Sequence, residues 1–374
     1  MNSSRRSFLG LAAAGAAFAQ QQQAAEPEIE WIDAKKLTVE GLGFADLKSP
    51  YDRLPARAEG VVREAVWNLS RNSAGVAVRF FANSPVLHAR WTRIKKNLAG
   101  PNMTGIGASG LDLYTRTSLP GGTWRWLAVG TPKAADVTTD AALVQGIPEG
   151  EREYLLYLPL YNGVTSVEIG VVAAKGSDPR IRPAGPRAEA KRAPIVFYGT
   201  SITQGASATR PGMAHTAILG RMFDRPVINL GFSGNGKMEA EVTKFLAEID
   251  AAVFVIDCLP NMNAAEVTER TEPCVRTLRA AHPKTPILLV EDRNFPSGFL
   301  IRSRREHNAS SQAALRAAYQ RLVDAKTGNL HYLEGALLLD PDGEDTTDGS
   351  HPSDLGFVHH ARAFERVLRP LLTP

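Results

Sequence analysis

Between about residues 28 and 172 the apolar positions recur with a period near two. Val76-Ala-Val-Arg-Phe-Phe81 and Val86-Leu-His-Ala-Arg-Trp91 alternate in part, separated by Asn83-Ser84-Pro85, which predicts a hairpin. Trp124–Val129, Tyr154–Leu158 and Val167–Val171 repeat the pattern between Gly, Pro and Asn punctuation. Many short strands with turn signals predict an antiparallel β-sandwich, uninterrupted by any helix-period segment of useful length. Residues 173–193 lose the periodicity, are rich in Pro, Gly and Arg, and read as a surface linker. From residue 194 to the end at 374 the texture changes again. Short apolar runs at Ile195–Tyr198, Val227–Leu230, Ala252–Ile256, Pro286–Val290 and Leu330–Leu333 predict buried strands. Helix-period segments lie between them at about 215–223, 240–248, 264–281 and 312–324, with a last helix from near Asp354. Apolar strands alternating with helices predict an α/β domain, a parallel sheet covered on both faces in three layers.

Residues 1–19 fit neither texture. Ser4-Arg5-Arg6-Ser7-Phe8-Leu9 leads into a short apolar run ending at Ala17-Phe18-Ala19, the pattern of a twin-arginine signal peptide. The expected location is therefore periplasmic or secreted. The expected mature chain has no stretch of about 18 apolar residues, so no membrane span is expected in it. The net charge of +4 falls to +2 without Arg5 and Arg6, and nothing clusters it into a basic stripe. That removes the electrostatic case for a nucleic-acid partner. Cys258 and Cys274 are too few for a disulfide framework or a cysteine zinc site, and separate buried thiols are expected. The remaining histidines show no metal-ligand spacing. Asp340-Pro-Asp-Gly-Glu-Asp345 fails the calcium-loop template and reads as a solvated loop.

In parallel sheets ligands bind beyond the carboxyl ends of the strands, so the residues there carry the candidate chemistry. Ser201 follows the first strand in Gly199-Thr-Ser201. Asn229-Leu-Gly-Phe-Ser-Gly234 follows the second, and Asp257-Cys-Leu-Pro-Asn261 the third. Asp348-Gly-Ser-His351-Pro352 precedes the last helix. Acyl transfer to a serine needs a hydroxyl, a base, a group that orients the base, and donors aimed at the developing oxyanion. Ser201, His351 and Asp348 supply the first three; the Ser201 and Gly234 N–H groups and the Asn261 amide supply the donors. Singly each has a structural reading as a cap, turn or loop residue. The Gly-x-Ser-x-Gly elbow of α/β-hydrolases is absent.

These four blocks over about 194–372 resemble those of the SGNH (GDSL-type) hydrolases. Ser201 matches the nucleophile, Gly234 and Asn261 the oxyanion donors, and Asp348 and His351 the remaining pair. Thr200 stands where the family has the Asp of Gly-Asp-Ser, and Leu259-Pro260 replaces the residues that usually precede the Asn. Upstream, Gly110-Leu-Asp112-Leu-Tyr114 resembles the Gly-x-Asp-Leu-Tyr signature of the β-rich domain in one group of these esterases. Asp112 and Tyr114 read there as structural strand-end residues, with substrate contact the other possibility. The resemblance implies a flavodoxin-like catalytic domain, a serine esterase without metal or organic cofactor, and a small acyl group. The small acyl group is also suggested by the lack of a long apolar lid near the blocks, and the resemblance together with the attached sandwich makes an O-acetylated glycan the leading substrate. Arg210, Arg293 and Asn294 follow the rim as candidate substrate-binding residues, against a salt-bridged reading of the arginines. The rivals are a lipase, thioesterase or arylesterase on the same triad, or a catalytically silent glycan-binding protein.

Overall fold

The computed structural model describes residues 28–116, 122–172 and 180–372. The export signal expected at 1–19 and the first part of the expected linker lie outside the described residues. The N-terminal part carries β1 (Ile29–Asp33), β2 (Thr38–Glu40), α1 (Glu64–Ser70), β3 (Ala77–Asn83), β4 (Val86–Arg93) and α2 (Gly105–Ser109). β5 (Leu111–Arg116), β6 (Trp124–Gly130), β7 (Thr138–Gln145), β8 (Arg152–Tyr157), β9 (Val164–Val172) and β10 (Arg180–Pro183) follow. One antiparallel sheet has the order β1-β9-β4-β7; the other runs β10-β3-β8-β5-β6, with β2 also on β3. The alternation read in the sequence faces the space between them. Leu87, Ala89 and Trp91 of β4 are buried there with Phe80, Leu113, Leu156 and Ile169. Removing each large side chain from water contributes roughly 1.5–3 kcal/mol.

Three local expectations change. β3 and β4 do not form a hairpin: each pairs in a different sheet, and the chain crosses between sheets at Asn83-Ser84-Pro85. Ser84, buried there, donates from its hydroxyl to Val172 O at 2.9 Å and accepts from Val172 N at 2.9 Å, which ties the crossing to β9. Helices do interrupt the strands, at α1 and α2. The expected linker is partly structural, because β10 extends a sheet edge along β3 and Arg187 is buried.

The second part has β11 (Ile195–Gly199), α3 (Ser201–Gln204), α4 (His215–Phe223), β12 (Val227–Gly231), α5 (Ala240–Leu246) and β13 (Val253–Asp257). It continues with α6 (Ala264–Ala281), β14 (Ile287–Val290), α7 (Arg302–Asp324), β15 (Leu330–Leu333) and α8 (Asp354–Leu372). All strand pairs are parallel, in the order β12-β11-β13-β14-β15, a flavodoxin-like winding. Ile218 and Leu219 of α4 and Phe357, Phe364 and Leu368 of α8 cover one face. Val242 of α5, Leu278 of α6 and Leu315 of α7 cover the other. That second layer is completed from the N-terminal part: Leu54, Val62, Val66 and Trp67 join the same cluster as Val196, Ile228 and Phe254. Arg53, fully buried, seals the junction. It donates to the carbonyls of Leu69, Asn72, Asn229 and Gly231 and lies over the Phe232 ring. Burial pushes this guanidinium down to about 9.

Candidate active site

The nucleophile candidate sits where β11 turns into α3. Thr200 is the N-cap, its hydroxyl accepting from Ile202 N, and Ser201 is the first helical residue. The N–H groups of a first helical turn have no intrahelical partner, so Ser201 N–H is placed to donate outward. The turn is held from several sides. The Asn229 side chain donates to Thr203 O at 2.7 Å and Thr216 Oγ1 at 3.1 Å and accepts from Gly231 N at 2.9 Å. Gln204 accepts from Ser233 N at 3.0 Å. Thr203 donates to Asp257 at 2.8 Å; burial pushes that carboxyl up to about 7 against the pull of Thr203.

The loop before α8 brings His351 to Ser201. Ser201 Oγ and His351 Nε2 are 2.9 Å apart, and His351 Nδ1 lies 2.8 Å from Asp348 Oδ2. The Ser350 and His351 N–H groups donate to the other oxygen, Asp348 Oδ1, at 3.0 and 2.8 Å. Partial burial pushes the Asp348 carboxyl up, but the His351 backbone and side-chain hydrogen bonds outweigh it and bring it down to about 2. An acid held ionised beside the imidazole can fix its tautomer and stabilise its charged form.

Gly234 lies in a turn at φ +69°, and among the described residues its N–H has no hydrogen-bond partner. Gly236 passes so close to β11 that a Cβ there would stand 1.8 Å from Gly199 O. The Asn261 amide is satisfied when its oxygen accepts from Asn235 N and Gly236 N at 3.0 and 3.2 Å, an orientation assigned from these contacts. With its oxygen engaged, its NH2 is the end that can donate to a ligand.

The three candidate substrate-binding residues fare differently. Arg210 is turned inward, donating to Asp112 Oδ2 at 2.8 Å and to the Tyr114 hydroxyl. Asp112 is fully buried and also accepts from Gly212 N at 2.8 Å, so the Gly110–Tyr114 motif clamps the two parts together, and its structural reading holds. Arg293 is buried too. It pairs with Asp292, stacks on Phe295 and donates to Ser350 O at 3.0 Å and Ser350 Oγ at 2.6 Å, bracing the loop that carries His351. Arg293 is therefore withheld from substrate, whereas Arg210, though engaged by Asp112 and Tyr114, keeps its side chain 23% accessible. Asn294 is exposed, accepting from Gln312 at 3.1 Å.

Other readings are also revised. Asp345 is buried rather than solvated, accepting from Asp340 N at 2.6 Å and His359 Nδ1 at 2.9 Å. Phe299, Leu300 and Ile301 are exposed on the segment after β14, and the helix that follows them is tied to the His351 loop by Arg304, which donates to Gly349 O at 3.4 Å. Cys258 and Cys274 are separate buried thiols. The sequence reading missed Asn102, whose Nδ2 lies 3.2 Å from Asp348 Oδ2, and Tyr161, whose hydroxyl donates to Ser201 O at 3.4 Å. Neither carries a local motif, because both arrive from the N-terminal part. Ser201, His351 and Asp348 are each partly exposed. A groove of about 540 Å³ lined by Val61, Arg63, Met238 and Arg270 contains none of the three. Among the described residues no helix is long and apolar enough to cross a membrane.

Residues 192–369 match the model of the GDSL-like lipase/acylhydrolase family, and residues 29–176 match that of the N-terminus of SGNH-hydrolase-type esterases. The chain is 38% identical to a GDSL-like lipase from Bacteroides ovatus, over 92% of this chain and 98% of that one, with a TM-score of 0.84. It shares its fold with the salicylyl-acyltransferase of a tetracycline biosynthetic pathway at 17% identity, covering 92% and 97% of the two chains, TM-score 0.69. It also shares it with a family two carbohydrate esterase from Cellvibrio japonicus at 15% identity, covering 93% and 99%, TM-score 0.57. No curated protein is significantly similar to the chain.

Proposed function

For this chain, which belongs to the GDSL-like lipase/acylhydrolase family and is an ester hydrolase, we propose a serine mechanism on short-chain esters, with an O-acetylated carbohydrate as substrate. The observation that carries the mechanism is the continuous hydrogen-bonded line from Ser201 through His351 to Asp348. His351 Nε2 takes the Ser201 hydroxyl proton as Oγ attacks the ester carbonyl. The Ser201 and Gly234 N–H groups and the Asn261 amide receive the oxyanion, each such donor worth about 10²–10³ in kcat. The proton passes to the departing alcohol. Water, deprotonated by His351, then cleaves the acyl-serine and restores the hydroxyl.

Two features support the carbohydrate reading. The triad is open at the surface, which suits an ester borne on a large molecule, and the fold is shared with family two carbohydrate esterases. Export through a twin-arginine signal at residues 1–19 would bring the enzyme to such material. A second reading, an ester with a longer apolar or aromatic part, is favoured by the exposed tip at Phe299 and Leu300, which are 85% and 76% accessible. Turnover of p-nitrophenyl esters of increasing chain length, and acetate release from acetylated polysaccharides, separate the two. Ser201→Ala should lower kcat by about 10⁴-fold or more while leaving the protein folded. Wild-type turnover no greater than that of Ser201→Ala on every ester would sink the serine mechanism.

A further inference from the structure

We propose that Asn102, on the segment between β4 and α2, is a positioning residue of the hydrolytic site, so that the N-terminal domain supplies part of the machinery; this rests on the serine-hydrolase reading above. Asp348 receives four donors. Its Oδ1 accepts the Ser350 and His351 N–H groups, and its Oδ2 accepts His351 Nδ1 at 2.8 Å and Asn102 Nδ2 at 3.2 Å. Three of these belong to the acid's own loop. The fourth comes from 246 residues away in sequence, and the same amide nitrogen stands 3.4 Å from His351 Nδ1.

Two carboxylate oxygens offer about four lone-pair sites, so Asn102 fills the last one, which water would otherwise occupy at this half-exposed position. A neutral amide suits the task. It donates to the carboxylate and fixes its plane without adding a charge that would compete with protonated His351. It also shares Oδ2 with the imidazole and so tempers how strongly that oxygen pulls on Nδ1–H. The other charged groups around the pair are Arg293, which holds Ser350, Arg304, which donates to Gly349 O, and Asp354, bonded to Thr209. Among the described residues none of these bonds to the Asp348 or His351 side chain.

The segment is fastened to the catalytic part independently of any ligand. Met103 Sδ accepts from Ser207 N at 2.9 Å, and Thr104 Oγ1 donates to Thr209 O. Thr209 N in turn donates at 2.9 Å to Asp354, the first residue of α8. Asn102 is thus held by the turn after the nucleophile and by the helix that follows His351. Its place next to the acid is built in.

The test compares wild type, Ser201→Ala, Asn102→Ala and the near-isosteric Asn102→Asp on p-nitrophenyl acetate. Asn102→Ala is expected to lower kcat about tenfold with KM within twofold and the unfolding midpoint unchanged. Asn102→Asp places a second carboxylate beside His351 and favours its protonated form. Because His351 acts as base only when neutral, the acid limb of kcat/KM should move to higher pH by about one unit. If both variants keep kcat within twofold of wild type and an unshifted acid limb while Ser201→Ala is inactive, Asn102 is only a loop anchor and the serine mechanism stands. If wild type turns over neither p-nitrophenyl acetate nor any other ester tried, the serine reading falls, and the downfield proton resonance of His351 Nδ1–H still decides the point. A shift of that resonance in Asn102→Ala supports the contact, and an unmoved one overturns it. Should Asn102→Ala fail to fold, Asn102→Asp carries the same readouts.

Discussion

Gly234 and Gly236 stand two residues apart in one turn and carry different constraints. Gly234 needs a left-handed backbone but has open space where a Cβ would go; Gly236 has none, facing Gly199 O. Gly234→Ala should therefore cost about 1–3 kcal/mol of strain, with kcat within about tenfold of wild type. Gly236→Ala should push the Gly199–Thr200 backbone away and shift Ser201, costing about 100-fold or more in kcat, since a displacement near 1 Å suffices for that. Steady-state kinetics beside urea unfolding checks both; equal kcat for the two variants would contradict the packing argument. At this scale much of the site was legible. Ser201, Gly234, Asn261 and the Asp348–His351 pair each follow a strand or precede a helix recognisable from its apolar run. Arg293 misled, because a basic residue on a rim loop looks the same in sequence whether it faces solvent or a buried carboxylate. Asp292, which pairs with it, lies just after β14.

Among the elements, the alternation of apolar runs and helices fixed the parallel sheet, and the ends of α4 and α6 fall where the periodicity placed them. α7 begins about ten residues earlier than its apolar pattern, because its first turns are arginine-rich and mostly exposed. The β3–β4 hairpin failed for another reason. Alternation tells which face of a strand is buried, but both sheets bury toward the same core, so it does not tell which sheet a strand joins. α1 was missed because seven residues are too few to show a period, and its apolar partners are in the other half of the chain. Leu54, in the segment leading to it, is fully buried against the catalytic sheet. Leu54→Ala should cost about 2–5 kcal/mol, read as a lower urea midpoint. The loss should appear in the α-helical signal as well as in the β-sheet signal. A loss confined to the β-sheet signal would mean that the segment belongs to the sandwich alone.

At the scale of the molecule, the junction is charged on one side and apolar on the other. Asp224, just after α4, accepts from Arg116 and Arg187 at 2.5 Å and from Trp124 at 3.3 Å, joining two sandwich strands and the connecting segment to the catalytic part. Burial raises this carboxyl, but Arg187 and Arg116 outweigh it and bring it from 3.8 down to about 2. A depressed carboxyl stabilises the fold above its unfolded value and loses that contribution as pH falls through its folded one. Asp224→Asn, which tolerates the same left-handed cap, should cost about 1–2 kcal/mol near neutrality after allowance for solvent screening. The gap to wild type should close as pH falls from 3.8 toward about 2, measured by urea unfolding. A gap independent of pH would assign the effect to packing. The apolar side of the junction bears on how the chain is made. The segment carrying Arg53 and Trp67 leaves the ribosome early, whereas its partners Asn229 and Gly231 follow 176 and 178 residues later. Until then Leu54, Val62 and Val66 have no sheet to cover, and the interval is filled by a sandwich whose own strands pair out of order. Contacts of such separation slow folding and leave apolar surface open to association meanwhile. The first helix thus waits for β11, β12 and β13 of the catalytic sheet before its apolar face is covered.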